Sequence, residues 1–205
     1  MKKAVMTFLL ILLAFAAFAR KTKGTVKDVP ADVLGVLQSA FGALTSSQRD
    51  AVAHIMDAWR QYGDGDRRKL AYILATAKHE SGFKPIKEYR ASAGTSLRAI
   101  QDKYWSTGFF GRGFVQLTHL SNYQKMSKFL GVDLVAKPDL ALNPIYAAKI
   151  LVYGMMNGTF TGKALEDYIK PQSADFINAR RVVNGTDKAD KIAGYANKIN
   201  DGFTS

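Results

Sequence analysis

The sequence predicts one mainly α-helical domain, and three observations carry that prediction. Apolar residues recur at helical spacing along most of the chain. No stretch alternates apolar and polar residues long enough to make a large sheet. Residues that start and stop helices stand at the ends of the periodic segments. The 205 residues are 47% hydrophobic and 22% charged, an ordinary globular balance that one core can satisfy.

Val33, Leu34, Leu37, Phe41 and Leu44 mark the first helix. Thr45-Ser46-Ser47-Gln48 has the order of a capping box, and Val52, Ile55, Met56 and Trp59 form an apolar stripe behind it. Gly63-Asp64-Gly65-Asp66 reads as a turn that caps a third helix, in which Leu70, Ile73, Leu74 and Ala77 face inward. That helix runs through Lys78-His79-Glu80 and ends at Gly82, with Pro85 beyond it. Residues 84–113 carry Gly94, Gly108, Gly111 and Gly113 and little periodicity, which predicts a small β element or a long loop. Helical patterning returns over 121–130, 143–157, 174–183 and 188–199.

Ahead of this body, an apolar run from Ala4 to Ala19, broken only by Thr7, follows Lys2 and Lys3 and closes on Ala17-Phe18-Ala19. A charged start, an apolar middle and a small-x-small end make a secretory signal peptide. Arg20, Lys21 and Lys23 directly behind it resist translocation, so a signal anchor, tethered to the inner membrane and later released, is the second reading. Residues 1–19 thus meet the Sec machinery or the membrane, 20–30 form a basic linker, and 31–205 form an exported catalytic domain, periplasmic or extracellular.

Composition excludes several classes. Cysteine is absent, which removes disulfides, thiolate nucleophiles and cysteine-based zinc sites. The histidines are His54, His79 and His119, and Phe83 stands where an HExxH motif beginning at His79 needs its second histidine. The net charge of +12, to which Lys2 and Lys3 contribute, suits a polyanionic partner. Nucleic acid has no support besides that charge.

The chemistry that fits best is glycoside hydrolysis, which needs two carboxyl groups across one bond, one to protonate the leaving oxygen and one to activate water or attack carbon. Glu80, at the end of an apolar helix just before a glycine break, is placed to enter a cleft. Glu88 follows beyond Gly82 and Pro85, so a reversing loop can set it across from Glu80. Gly111-Arg112-Gly113-Phe114-Val115-Gln116-Leu117-Thr118 and Asn122-Tyr123 add glycines for close backbone approach and neutral groups suited to sugar hydroxyls and acetamides. Tyr123 and Trp105 are candidates to stack on sugar faces.

These segments resemble glycoside hydrolase family 19, the chitinase-like group that includes phage endolysins. Ala77-Lys78-His79-Glu80-Ser81-Gly82 resembles the helix end that carries the family's general acid. Gly111-Arg112-Gly113, Gln116-Leu117-Thr118 and Asn122-Tyr123 resemble its GRGxxQLT…NY signature. Lys137-Pro138-Asp139-Leu140 with Asn143-Pro144, and Val182-Val183-Asn184-Gly185, resemble two further segments in the family's order.

The resemblance implies a lysozyme-like helical domain with a central cleft, single displacement with inversion, and no metal or cofactor. It implies Glu80 as the acid, Glu88 as the base and Thr118 as a holder of the water. His79, Gln116, Asn122, Tyr123, Asn184 and Lys191 are the implied substrate-binding residues. Lys191 stands where the family often has an arginine before the last helix, and lysine lacks the forked contact of a guanidinium.

The glycan strands of bacterial peptidoglycan are the expected substrate, cut by a monomer. Small size, an exported start and a basic body favour them over chitin. A chitinase, a lytic transglycosylase (for which Glu80-Ser81-Gly82-Phe83-Lys84-Pro85 speaks) and a non-catalytic wall-binding module are the alternatives.

Overall fold

A computed structural model describes residues 29–204, so the signal or anchor segment at 1–19 and nearly all of the basic linker lie outside the described residues. Within them the chain is helical around one core. The helices are α1 (Ala31–Phe41), α2 (Ser46–Tyr62), α3 (Arg67–Ser81), α4 (Ser96–Asp102), α5 (Leu120–Leu130), α6 (Pro144–Met156) and α7 (Ala189–Thr204). Two antiparallel pairs of very short strands complete it: β1 (Ile86–Lys87) with β2 (Arg112–Gly113), and β3 (Ile169–Lys170) with β4 (Ser173–Ala174).

Helix α3 lies at the centre because it is apolar nearly all round. Leu70, Ala71, Tyr72, Ile73, Leu74, Ala75 and Ala77 are all buried, and only a helix surrounded by others can hide so many consecutive side chains. It packs on α7, while α2 packs on α6 and α1 covers the other side of α7.

The predicted start and stop residues act as expected. The Thr45 hydroxyl accepts the Gln48 amide, and the Gln48 side chain accepts the Thr45 amide, which closes the capping box of α2. Asp66 accepts the Arg68 amide at 2.9 Å and caps α3. Gly82 ends α3 in the left-handed region at φ 59°, which a residue with a Cβ adopts only at a cost. The Gln48 side-chain amide donates to the Gly82 carbonyl at 3.0 Å, tying the start of α2 to the end of α3.

Two segments differ from the sequence expectation. Residues 84–113 contain the small β element, but also α4 and a 3-10 turn at Trp105–Thr107. Leu97 and Ile100 of α4 are 53% and 55% exposed, so this helix has no buried apolar stripe for periodicity to reveal. The predicted helix over 174–183 is instead the β4 edge followed by a 3-10 turn, Asn178–Val182. Phe176, Ala179 and Val182 are the buried apolar residues of this segment, and their spacing of three is that of a 3-10 turn.

Candidate active site

A cleft of about 950 Å³ opens beside the end of α3. Glu80, Glu88, Gln116, Thr118, Asn122 and Asn184 all line it, so six of the predicted site residues come together from segments far apart in sequence.

Glu80 is carried to the cleft by the last turn of α3. Its Oε1 accepts a hydrogen bond from Arg180 Nη1 at 2.5 Å, with the Arg180 side chain 4% exposed and that of Glu80 17% exposed. Arg180 sits in the 3-10 turn after β4, and its Nε donates to the Asp187 carbonyl at 3.0 Å. The arginine contact to the acid, expected to be missing with Lys191 in that place, is therefore made by Arg180 through one bond to Glu80. Lys191 itself is exposed on α7 with its ammonium 5.9 Å from the Tyr195 ring centroid, and it does not line the cleft.

Glu88 follows β1 directly. Pairing of Ile86 with Gly113 and Lys87 with Arg112 extends through a bond from the Glu88 amide to the Gly111 carbonyl at 2.8 Å. That register aims the side chain at three donors: Tyr104 Oη at 2.6 Å and Gln101 Nε2 at 2.9 Å on Oε1, and the Gly111 amide at 2.9 Å on Oε2. Gln101 is itself buried, with Nε2 also donating to the Tyr89 carbonyl and Oε1 accepting the Ala91 amide at 2.7 Å. Burial first, and then the bond to Glu88, push the Tyr104 phenol well above its ordinary range. Tyr104 therefore meets Glu88 as a neutral donor. Among the described residues the two carboxyl groups share no hydrogen-bond partner.

The glycine-rich turn packs closely against Glu88. A Cβ on Gly111 would stand 2.8 Å from Gln116 Oε1 and 3.2 Å from Glu88 Cβ, so only glycine lets the three approach. Gln116 is held at φ 54°, with Nε2 donating to the Ile86 and Gly113 carbonyls, both at 3.1 Å. The Thr118 hydroxyl donates to the Gln116 carbonyl at 2.8 Å, which leaves its oxygen as an acceptor towards the cleft. Asn122 donates Nδ2 to the Thr118 carbonyl at 3.1 Å and keeps its Oδ1 for other donors. Asn184 is exposed, with Oδ1 on the Gly185 amide and Nδ2 left as a donor.

Three aromatic and basic candidates lie elsewhere. Tyr123 is wholly buried, its hydroxyl donating to the Phe110 carbonyl and accepting from Arg112 Nη1, both at 2.9 Å. A side chain with no exposed surface cannot stack on a sugar, so Tyr123 is a core residue. Trp105 stacks on Phe110 with centroids 4.4 Å apart and is not part of the cleft lining. His79 is half-buried one position before Glu80 and does not line the cleft either, because successive helix positions point about 100° apart. Gln101, Tyr104 and Arg180, which hold the two carboxyls, are side chains that sequence reasoning missed. His119, which lines the cleft from a strained φ of 72°, is a fourth.

Two separately held carboxyl groups on one cleft of a helical core are the groups that glycoside hydrolysis requires. The chain belongs to glycoside hydrolase family 19, whose model, described as chitinase class I, matches residues 64–203. It is 32% identical over 143 residues to Chitinase 8 of Oryza sativa subsp. japonica, covering 67% of this chain and 52% of that one. It is 29% identical over 171 residues to the acidic 27 kDa endochitinase of Solanum lycopersicum, covering 80% and 66%. The chain thus spans only about half to two thirds of the length of these relatives. Its fold is shared with chitinase C from Streptomyces griseus HUT6037, at TM-score 0.55 and 21% identity over 86% of this chain and 93% of that one. The class IV chitinase from Zea mays also shares it, at TM-score 0.52 and 17% identity over 84% and 90%. The lysozyme-like helical architecture expected from the resemblance is the one observed. No helix of the described residues is long and apolar enough to cross a membrane.

Proposed function

We propose that this chain is an exported, endolysin-type hydrolase of the β-1,4 glycosidic bonds in bacterial peptidoglycan, working as a monomer by single displacement with inversion. The observation that carries this reading is that Glu80 and Glu88 line one cleft while each is held by its own partners. Glu80 donates its proton to the leaving glycosidic oxygen as the bond from that oxygen to the anomeric carbon breaks. Glu88 takes a proton from a water whose oxygen attacks the same carbon from the opposite face. Thr118, whose own proton is committed to Gln116, accepts the water's second O–H and aims the attacking lone pair. The Asn122 Oδ1 and the Asn184 Nδ2 are the free polar groups offered to acetamide and hydroxyl groups of the glycan.

The choice of peptidoglycan rests on the net charge of +12, which suits an anionic wall polymer. A second reading, chitin hydrolysis, is favoured by the relatives' names. The test is mass spectrometry of fragments released from purified peptidoglycan and from chitin by the full chain, with Glu80→Gln beside it. Reducing-end muropeptide fragments from the wild type alone are expected. Chitin fragments without peptidoglycan fragments would establish the second reading, anhydro-ended fragments would make the protein a lytic transglycosylase, and equal activity in Glu80→Gln would sink the assignment of the acid.

A further inference from the structure

One part of the cleft lining carries charge that the hydrolysis does not use. Lys163 and Arg181 both line the cleft and both are exposed. Neither forms an ion pair among the described residues, whereas the third cation of this region, Arg180, is buried against Glu80. Arg181 Nε makes only a long bond to Asn178 Oδ1 at 3.3 Å.

The backbone segments that carry the two cations are tied together by a single side chain. The Thr161 hydroxyl donates to the Arg181 carbonyl at 2.6 Å and accepts from the Lys163 amide at 3.3 Å. It also contacts the Val182 carbonyl at 3.1 Å, so the loop before Lys163 is fastened to the turn that bears Arg181. Of the carboxylates that line the same cleft, Glu80 is paired with Arg180 and Glu88 is surrounded by three donors. Asp187 is the remaining acid there and makes no ion pair among the described residues.

A neutral polysaccharide draws no Coulombic gain from two unpaired cations on a cleft wall. A glycan with carboxylate-bearing branches draws that gain. We propose that Lys163 and Arg181 form a cationic subsite for the carboxylates of the stem peptides on a peptidoglycan strand, so that this wall selects anionic glycan over neutral glycan. The proposal rests on the peptidoglycan reading above and adds the residues that make the choice. Each exposed charge pair is worth at most about a factor of five, so the two together set roughly a ten-fold preference. The effect belongs in KM, because the branch carboxylates are as charged before reaction as during it.

The experiment compares the full chain with its Lys163→Gln/Arg181→Gln variant on soluble, uncrosslinked peptidoglycan strands. The same strands, with their carboxylates converted to amides by carbodiimide and ammonia, are run beside them. The wild type is expected to show a KM roughly ten-fold lower on native than on amidated strands, with the difference shrinking as salt is raised. The variant is expected to show the higher KM on both, and Lys163→Glu/Arg181→Glu a higher KM still on native strands only. Equal KM for the wild type on the two preparations, or the same response to amidation in wild type and variant, overturns the subsite while leaving the hydrolase reading intact. Failure of the wild type to cut either preparation overturns both.

Discussion

Replacing Arg180 with methionine tests whether Glu80 is held by charge. The pair is nearly closed to solvent, with Arg180 4% and Glu80 17% exposed, so the small value of a surface ion pair does not apply. Removing the cation strands a mostly buried carboxylate at a cost of about 3 kcal/mol, the lower end for a buried pair because Glu80 keeps some contact with water. Loss of the bond from Arg180 Nε to the Asp187 carbonyl adds about 1 kcal/mol. In a Glu80→Gln background no charge is stranded, and the same Arg180→Met change should cost only about 1–2 kcal/mol. Urea unfolding of all four proteins at neutral pH then gives a coupling of about 2–3 kcal/mol, taken as the difference between the two costs. Equal costs in the two backgrounds would refute the argument and reduce Arg180 to a packing residue. Arg180→Met in the otherwise native chain should also lose most turnover, because among the described residues the carboxyl has no second hydrogen-bond partner to fix its direction.

Three further outcomes are expected. Gln101→Leu removes one of the three donors on Glu88 and releases the Ala91 amide, so kcat should fall roughly 100-fold with a much smaller change in KM; a purely structural role would lower the amount of folded enzyme and leave its kcat alone. Tyr123→Phe deletes a hydroxyl between Arg112 and the Phe110 carbonyl and should cost about 1–2 kcal/mol in urea unfolding while KM for glycan stays the same, since the ring does not reach the cleft. Burial holds the His79 imidazole below its ordinary value, with Arg180 and Lys191 acting in the same direction against Glu80. The folded state then binds that proton less readily than the unfolded one, so its contribution to stability is full above about pH 6.5 and is lost as pH falls through the lowered value. The Tm should drop between pH 7.5 and 5, and by less in His79→Gln; identical slopes would remove His79 as the cause.

Much of this architecture is written locally. Thr45 and Gln48, Asp66, and Gly82 bound their helices through interactions within a few residues, which is the range that sequence patterns report. Glu80 and Glu88 were legible for the same reason: one ends a helix, and the other lies just past a glycine and a proline. What was hidden depends on packing between distant segments. Arg180 and Arg181 are neighbours of one type, and only the 3-10 turn decides that one goes to Glu80 and the other to the cleft wall. Helix α4 inverts the usual rule by exposing Leu97 and Ile100 and burying Gln101, because the polar side chain has three partners to satisfy it and the apolar ones line a cleft. Tyr123 occurs within a sugar-binding signature, yet its ring belongs to the core. A motif fixes residue type and order without saying which atoms face the ligand.

The bond between Glu80 and Arg180 spans 100 residues, and the segment that carries Arg180 is followed at once by α7, the helix that packs along α3. The pair is therefore completed only after the C-terminal segment has been made. A nascent chain still missing its C-terminal quarter already has its acid, but nothing to hold it. The reverse also follows: if α7 frays from α3, the turn before it loses its support, and the acid is disarmed while the central helices remain folded. Local opening of the C-terminal helix thus acts on hydrolysis before it acts on the core, and loss of activity on gentle heating should precede the loss of helical signal.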